Sequence, residues 1–179
     1  MNRDVLEARM ADLPLYAYYF IDPKELDFSE RIRYICKNEC PMYGKSWACP
    51  PGAGEVDVCE QKCKSYQNCL LIGTITEVED VADMDACLQT RGPHEAITNQ
   101  VRDIMQELGV QPYVLSSEAC AACERCAILD GQPCRFPERM HPCVESHGIV
   151  LTTTLEALGL EFQYGGNIVT WYSLLFFND

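Results

Sequence analysis

The sequence predicts an α/β fold: a single layered domain over residues 1–179, with about four strands, flanking helices and cysteine-rich metal-binding loops. Three observations carry that expectation. Apolar, β-branched runs alternate with segments of helical period. No low-complexity linker divides the 179 residues, a length that suits one domain with a real core. Twelve cysteines fall in two blocks, 36–69 and 120–143, with Cys87 alone between them.

The elements follow in chain order. "LPLYAYYFID" (13–22), aromatic and bounded by prolines, reads as a first strand. "SERIRYIC" (29–36) offers Ser29 as an N-cap and forms a short helix leading into the first cysteine block. After Pro50-Pro51, which fixes an extended exit, "EVDVCEQKCKSY" is weakly helical. "CLLIGTITEV" (69–78) is a buried strand by its apolar content. The clearest helix is "GPHEAITNQVRDIMQELG" (92–109), where Ile97, Val101, Ile104, Met105 and Leu108 mark one face and Gly109 ends it. "PYVLSSEAC" (112–120) is a strand delivering the second block. A helix follows within 142–162, with Gly148 moving its start to about residue 150. "NIVTWYSLLFF" (167–177) is a long apolar strand, central or at a subunit interface. The order of the strands is open at this stage.

Net charge is −13 and the pI about 4.6. Such an acidic surface repels phosphate backbones and anionic lipid, so neither nucleic acid nor membrane is an expected partner. The N-terminus lacks the apolar stretch of a signal peptide, and no segment is long and apolar enough to span a bilayer. The expectation is a cytoplasmic chain. Reduced thiols in that compartment point to metal before disulfides, the even cysteine count keeping a disulfide framework as the alternative.

In "CAACERCAILDGQPCRFPE" the run Cys120, Cys123, Cys126 is C-x2-C-x2-C, with Cys134 further on and Asp130-Gly131 as a turn that brings the chain back. Three cysteines at successive x2 spacings suit three corners of an iron–sulfur cubane, completed by a fourth thiolate. Zinc takes its ligands as two separated pairs, which leaves the third member of the triplet unexplained. In "CKNECPMYGKSWACPPGAG" Cys36 and Cys40 share a face if the Ser29 helix continues through them, and Cys49 follows. Three thiolates fit a [4Fe–4S] cluster with one iron open, or with a fourth ligand from elsewhere. Candidates for that ligand are Cys59, Cys63, Cys69, Cys143, His141 and His147. Zinc is the alternative here too. Tyr43 and Trp47 read as shields, Cys87 as a packed apolar residue and His94 as structural. Lys45, Arg125, Arg135 and Arg139 read as solvated charge or as partners for an anion.

At these residues the chain resembles the DUF2284 family of predicted metal-binding proteins. The likeness rests on "C-x3-CPMYGKSWACPP", on "C-x2-C-x2-C" followed by "GQPCRFPE", and on "HPCVESHGIVL", and it runs from about residue 30. It implies metal ligation by Cys36, Cys40 and Cys49 and by Cys120, Cys123, Cys126 and Cys134. Where the family often has a serine, this chain has Cys143. The resulting expectation is a [4Fe–4S] protein with one or two clusters, doing electron transfer or redox accessory work with a partner protein in an anaerobic prokaryote. The alternatives are an enzyme with an open-site cluster acting on a small ligand or sulfur, and a zinc-stabilised binding module. Whether the chain is an enzyme, and its oligomeric state, are left open.

Overall fold

The computed structural model describes residues 1–120 and 122–179. Its centre is a four-stranded sheet in the order β1-β2-β4-β3, formed by β1 (Ala17–Ile21), β2 (Asn68–Glu77), β3 (Tyr113–Leu115) and β4 (Ile168–Phe177). All three pairings are antiparallel. Ten residues of β2 pair along the whole of β4, from Asn68 opposite Phe177 to Glu77 opposite Ile168. The long apolar strand of the C-terminal segment is therefore interior, flanked by β2 and β3.

Neither β2 nor β4 alternates polar with apolar, because both faces of the sheet are covered. Cys69, Leu71, Tyr172, Leu174 and Phe176 point to one side, where they pack with Leu26, Cys63, Val144, Ile149 and Leu155. Leu70, Ile72, Leu175 and Phe177 point to the other, against Leu6, Met10, Val101 and Met105. Successive side chains of a strand face opposite ways, so a continuous apolar run is what a doubly covered sheet requires.

The helices divide accordingly. On the second side lie α1 (Arg3–Met10), capped by the Asn2 side chain, and α5 (Arg91–Glu107). The face expected for α5 is the one that packs: Ile97, Val101 and Met105 are buried, with Ile104 and Leu108 against the same cluster. The first side carries α3 (Val56–Lys64) and α6 (Leu151–Ala157), while α2 (Glu30–Glu39) packs against the turn at Glu145–His147. A short α4 (Met84–Gln89) precedes α5. Gly148, at φ +77°, ends a 3-10 turn at Glu145–His147, and α6 begins only at Leu151. Among the described residues no helix is long and apolar enough to cross a membrane.

Two expectations need correction. The strand expected over 112–120 stops at Leu115, apart from a single parallel bridge between Ser116 and Cys143. Beyond it the Ser117 hydroxyl donates to the Tyr172 carbonyl and Glu118 takes φ +59°, which takes the backbone off the sheet. The exit after Cys49 is a turn and not extended: the Cys49 carbonyl accepts from Ala53 N–H at 3.0 Å, and the Pro51 carbonyl from Gly54 N–H at 3.0 Å.

His94 is 1% exposed and holds α5 to the sheet, Nδ1 meeting Thr74 Oγ1 at 2.9 Å and Nε2 meeting Ser173 Oγ at 2.7 Å. Burial, aided by Arg91, lowers its pKa to about 4. The folded state thus keeps the ring neutral while the unfolded chain protonates near the usual 6.5, so stability falls as pH drops through that window. Its contribution between pH 7 and pH 5 is about 2 kcal/mol. Denaturant melts of wild type and His94→Gln should show the variant with the flatter pH dependence. Parallel curves would remove His94 as the cause.

Candidate metal centre

The first thiol set is assembled from three segments. Helix α2 carries Cys36 in its last turn and Cys40 as its C-cap, four residues on, so the two share a face. The following loop is closed by Gly44 N–H donating to the Pro50 carbonyl at 2.8 Å, with Gly44 at φ +72°, a conformation glycine adopts without penalty. That closure returns Cys49 to the helix end. Cys143 arrives from the far side of the sequence. It is placed by the bridge to Ser116, in which Ser116 N–H donates to Pro142 O at 2.8 Å and Val144 N–H to Ser116 O at 3.0 Å. Cys36, Cys40, Cys49 and Cys143 line one cavity of about 260 Å³, walled also by Ile32, Ile35, Met42 and Tyr43.

Cys49 and Cys143 are buried, and Cys36 and Cys40 half-buried. A side-chain hydrogen bond with Cys143 holds the Cys49 thiol below its ordinary pKa. The same contact, with burial, pushes Cys143 well above. Burial and the neighbouring Cys40 raise Cys36. Cys143 Sγ also accepts from Ser146 N–H at 3.3 Å, a donor that favours negative charge on sulfur. Glu118 and Glu145 complete the wall.

The second set is local. Cys126 caps a 3-10 turn at Ala127–Asp130, Gly131 takes φ +64°, and Gln132 N–H donates to Ala127 O at 3.0 Å. The turn read at Asp130-Gly131 thus brings Cys134 back. Burial raises the Cys120 thiol, and Cys134, Cys123 and Cys126 are all near enough to raise it further, while Ala122 N–H donates to its sulfur at 3.4 Å. Arg125 and Arg135 are spent on the loop itself, both meeting Asp130, at 2.9 and 4.0 Å.

The two sets are neighbours. Ala119 lines the first cavity, and Cys120, the next residue, opens the second set. Trp47 Nε1 donates to Gln132 O at 3.0 Å, joining the two loops. Ile128 packs within 3.1 Å of the space a side chain at Gly52 would fill.

The remaining candidates lie elsewhere. Cys63 and Cys69 are fully buried in the core, burial pushing Cys63 up to about 12. Cys59 donates to Ala53 O at 3.3 Å beside Arg33. Cys87 is buried, its thiol toward Val81 O. Both His147 nitrogens are engaged, by Tyr113 OH at 2.6 Å and Ser146 Oγ at 3.1 Å, and His141 lies with Asn99 and Arg102. Spacing alone left Cys143 one candidate among six, since its approach depends on the Ser116 bridge.

The donor chemistry of both sets is that of thiols, which suits a thiophilic metal. Among the described residues no three Cys, His, Asp or Glu side chains converge closely enough to hold a single ion. In the first set the sulfurs stand around the walls of a cavity. Metal binding there would displace thiol protons, since burial favours the protonated form of Cys36, and the hydrogen bond with Cys49 together with burial that of Cys143.

Searches of curated proteins and of solved structures give no match. A family model described as "Predicted metal-binding protein (DUF2284)" matches residues 19–177. That span takes in both thiol sets and all of the sheet but the first two residues of β1, and the chain belongs to the DUF2284 family of predicted metal-binding proteins.

Proposed function

We propose that this metal-binding chain is an iron–sulfur protein of the cytoplasm that holds two [4Fe–4S] clusters and passes single electrons to or from a partner protein. Cys36, Cys40, Cys49 and Cys143 would hold one cluster, and Cys120, Cys123, Cys126 and Cys134 the other. The observation that carries the reading is the arrival of Cys143 at the cavity of the first three cysteines, which gives each set four thiols. Full thiolate ligation suits a cluster that cycles between oxidation states without binding substrate. The protein contributes the N–H donors to Cys143 and Cys120 and the apolar wall of Ile32, Ile35 and Met42, groups that tune a cluster's potential. The Trp47–Gln132 hydrogen bond ties the two thiol-bearing loops together, which supports electron exchange between the proposed clusters. The acidic surface would steer the chain to a basic partner.

Protein purified without oxygen should be brown and contain about eight iron and eight sulfide per chain. A colourless preparation with stoichiometric zinc and no acid-labile sulfide would replace this reading with a zinc-stabilised fold.

A further inference from the structure

Three arginines gather beside the second thiol set in a protein of net charge −13. Arg91, Arg102 and Arg139 line one cavity of about 420 Å³ together with Asn99, His141 and Cys120. It shares Arg102, Arg139 and His141 with a second cavity of about 620 Å³, which is lined also by Lys62, Trp47 and the carboxylate-bearing Glu138. The arrangement follows from the fold. Arg91 and Arg102 are separated by about three helical turns and so share one face of α5. Arg139 ends the 3-10 turn Pro137–Arg139 that follows the second cysteine loop.

The groups differ in how far they are satisfied. Arg102 meets Asp103 at 2.7 Å, Asn99 at 2.6 Å and His141 at 3.3 Å, which fixes its guanidinium on the groove wall. Among the described residues Arg91 and Arg139 form no ion pair. Arg139 lies over the Phe136 ring at 5.7 Å from the centroid. Arg125 and Arg135, by contrast, both meet Asp130. The one carboxylate on the 420 Å³ cavity, Glu95, accepts a hydrogen bond from Ser116. Like charges around a concave surface repel one another unless an anion lies between them. The guanidinium fork matches the oxygens of phosphate or carboxylate.

We infer that this groove binds a small molecule through an oxyanion group, seated on Arg91 and Arg139 beside the fixed Arg102 and against the Cys120 end of the second thiol set. The chemistry is that of phosphate, free or carried on a larger ligand; Trp47, further along, offers a flat surface to a ring-bearing one. The groove is built on α5 and the 137–139 turn, so the inference does not rest on which metal the thiols hold.

The test is calorimetric titration of anaerobically purified full-length protein at low salt, with inorganic phosphate and with flavin mononucleotide. Arg91→Gln/Arg139→Gln should weaken binding about tenfold or more, as loss of charge-assisted hydrogen bonds does. The control Lys24→Gln/Arg31→Gln removes the same charge elsewhere and should stay within about twofold, while added salt weakens wild-type binding. Arg139→Gln alone, at an exposed position, should give several-fold weakening at an unchanged melting temperature, which separates the effect from misfolding. Equal affinity for the two probes assigns the site to free oxyanions, and tighter flavin mononucleotide binding assigns it to a ring-bearing phosphate ester. Absence of binding by wild type at millimolar concentrations of either probe, or equal binding by the double variant and the control, overturns the inference.

Discussion

Replacing Cys143 by alanine should lower the iron content of anaerobic protein from about eight per chain to between about four and about seven. The lower figure corresponds to loss of the whole first cluster, the upper to loss of one corner iron held by that sulfur. Cys49→Ala should fall in the same range, since both thiols meet across one cavity. Cys59→Ala should keep the full complement, because its thiol donates to a backbone carbonyl away from that cavity. Iron analysis paired with electron paramagnetic resonance of the reduced protein reads the difference. A Cys143→Ala protein with full iron and an unaltered spectrum would return the first site to three thiolates and a ligand from elsewhere.

The second large effect is expected at Gly148. Its φ of +77° disfavours any residue with a Cβ. An added Cβ would also lie 2.8 Å from Val56 Cγ1 on α3 and 3.3 Å from Ser29 O at the start of α2. The Gly148 carbonyl accepts from Ser29 N–H at 2.7 Å, so this residue locks the entry of α2 to the turn behind Cys143. Backbone strain and overpacking together should cost about 3 kcal/mol in Gly148→Ala. For a chain of this size that is a fall of about 10 °C in melting temperature. The shift should be accompanied by selective loss of iron from the first set, because Ser146 N–H, two residues away, is the donor to Cys143 Sγ. A melting temperature within about 2 °C of wild type would mean that α3 yields at Val56 without consequence.

Much of this architecture is legible in the residues. β2 and β4 are continuous apolar runs because both of their faces are buried, and such runs stand out. The period of α5 marks the face that packs. The antiparallel order was not legible, since it is set by how connections of tens of residues return to the sheet. Helices α1 and α4, eight and six residues long, are too short for periodicity to announce them. Strand β3 was overread because "VLSSEAC" continues in extended-looking residues where a side-chain bond and one positive φ turn the chain away. The second thiol set could be read from spacing, being closed within fifteen residues of chain. The first could be read only in part. Its fourth member is brought in by a single bridge to Ser116, and no spacing rule encodes a contact of that kind. Of the arginine groove only Arg139 was marked as a possible partner for an anion, because the groove joins one helix face to a turn more than thirty residues further on.

The thiol sets stand apart from the two hydrophobic clusters, although Cys49 and Cys143 are themselves buried and Val144, next to Cys143, belongs to the first cluster. Both hydrophobic clusters are organised about β2 and β4, and of the eight thiols in the two sets neither cluster includes one. In a small zinc finger, by contrast, the ion substitutes for a core and the chain collapses without it. Here chelation should leave the strands and the α5 layer in place and release chiefly the 36–54 and 117–143 segments, so the stripped polypeptide becomes a scaffold awaiting reconstitution, not a denatured coil.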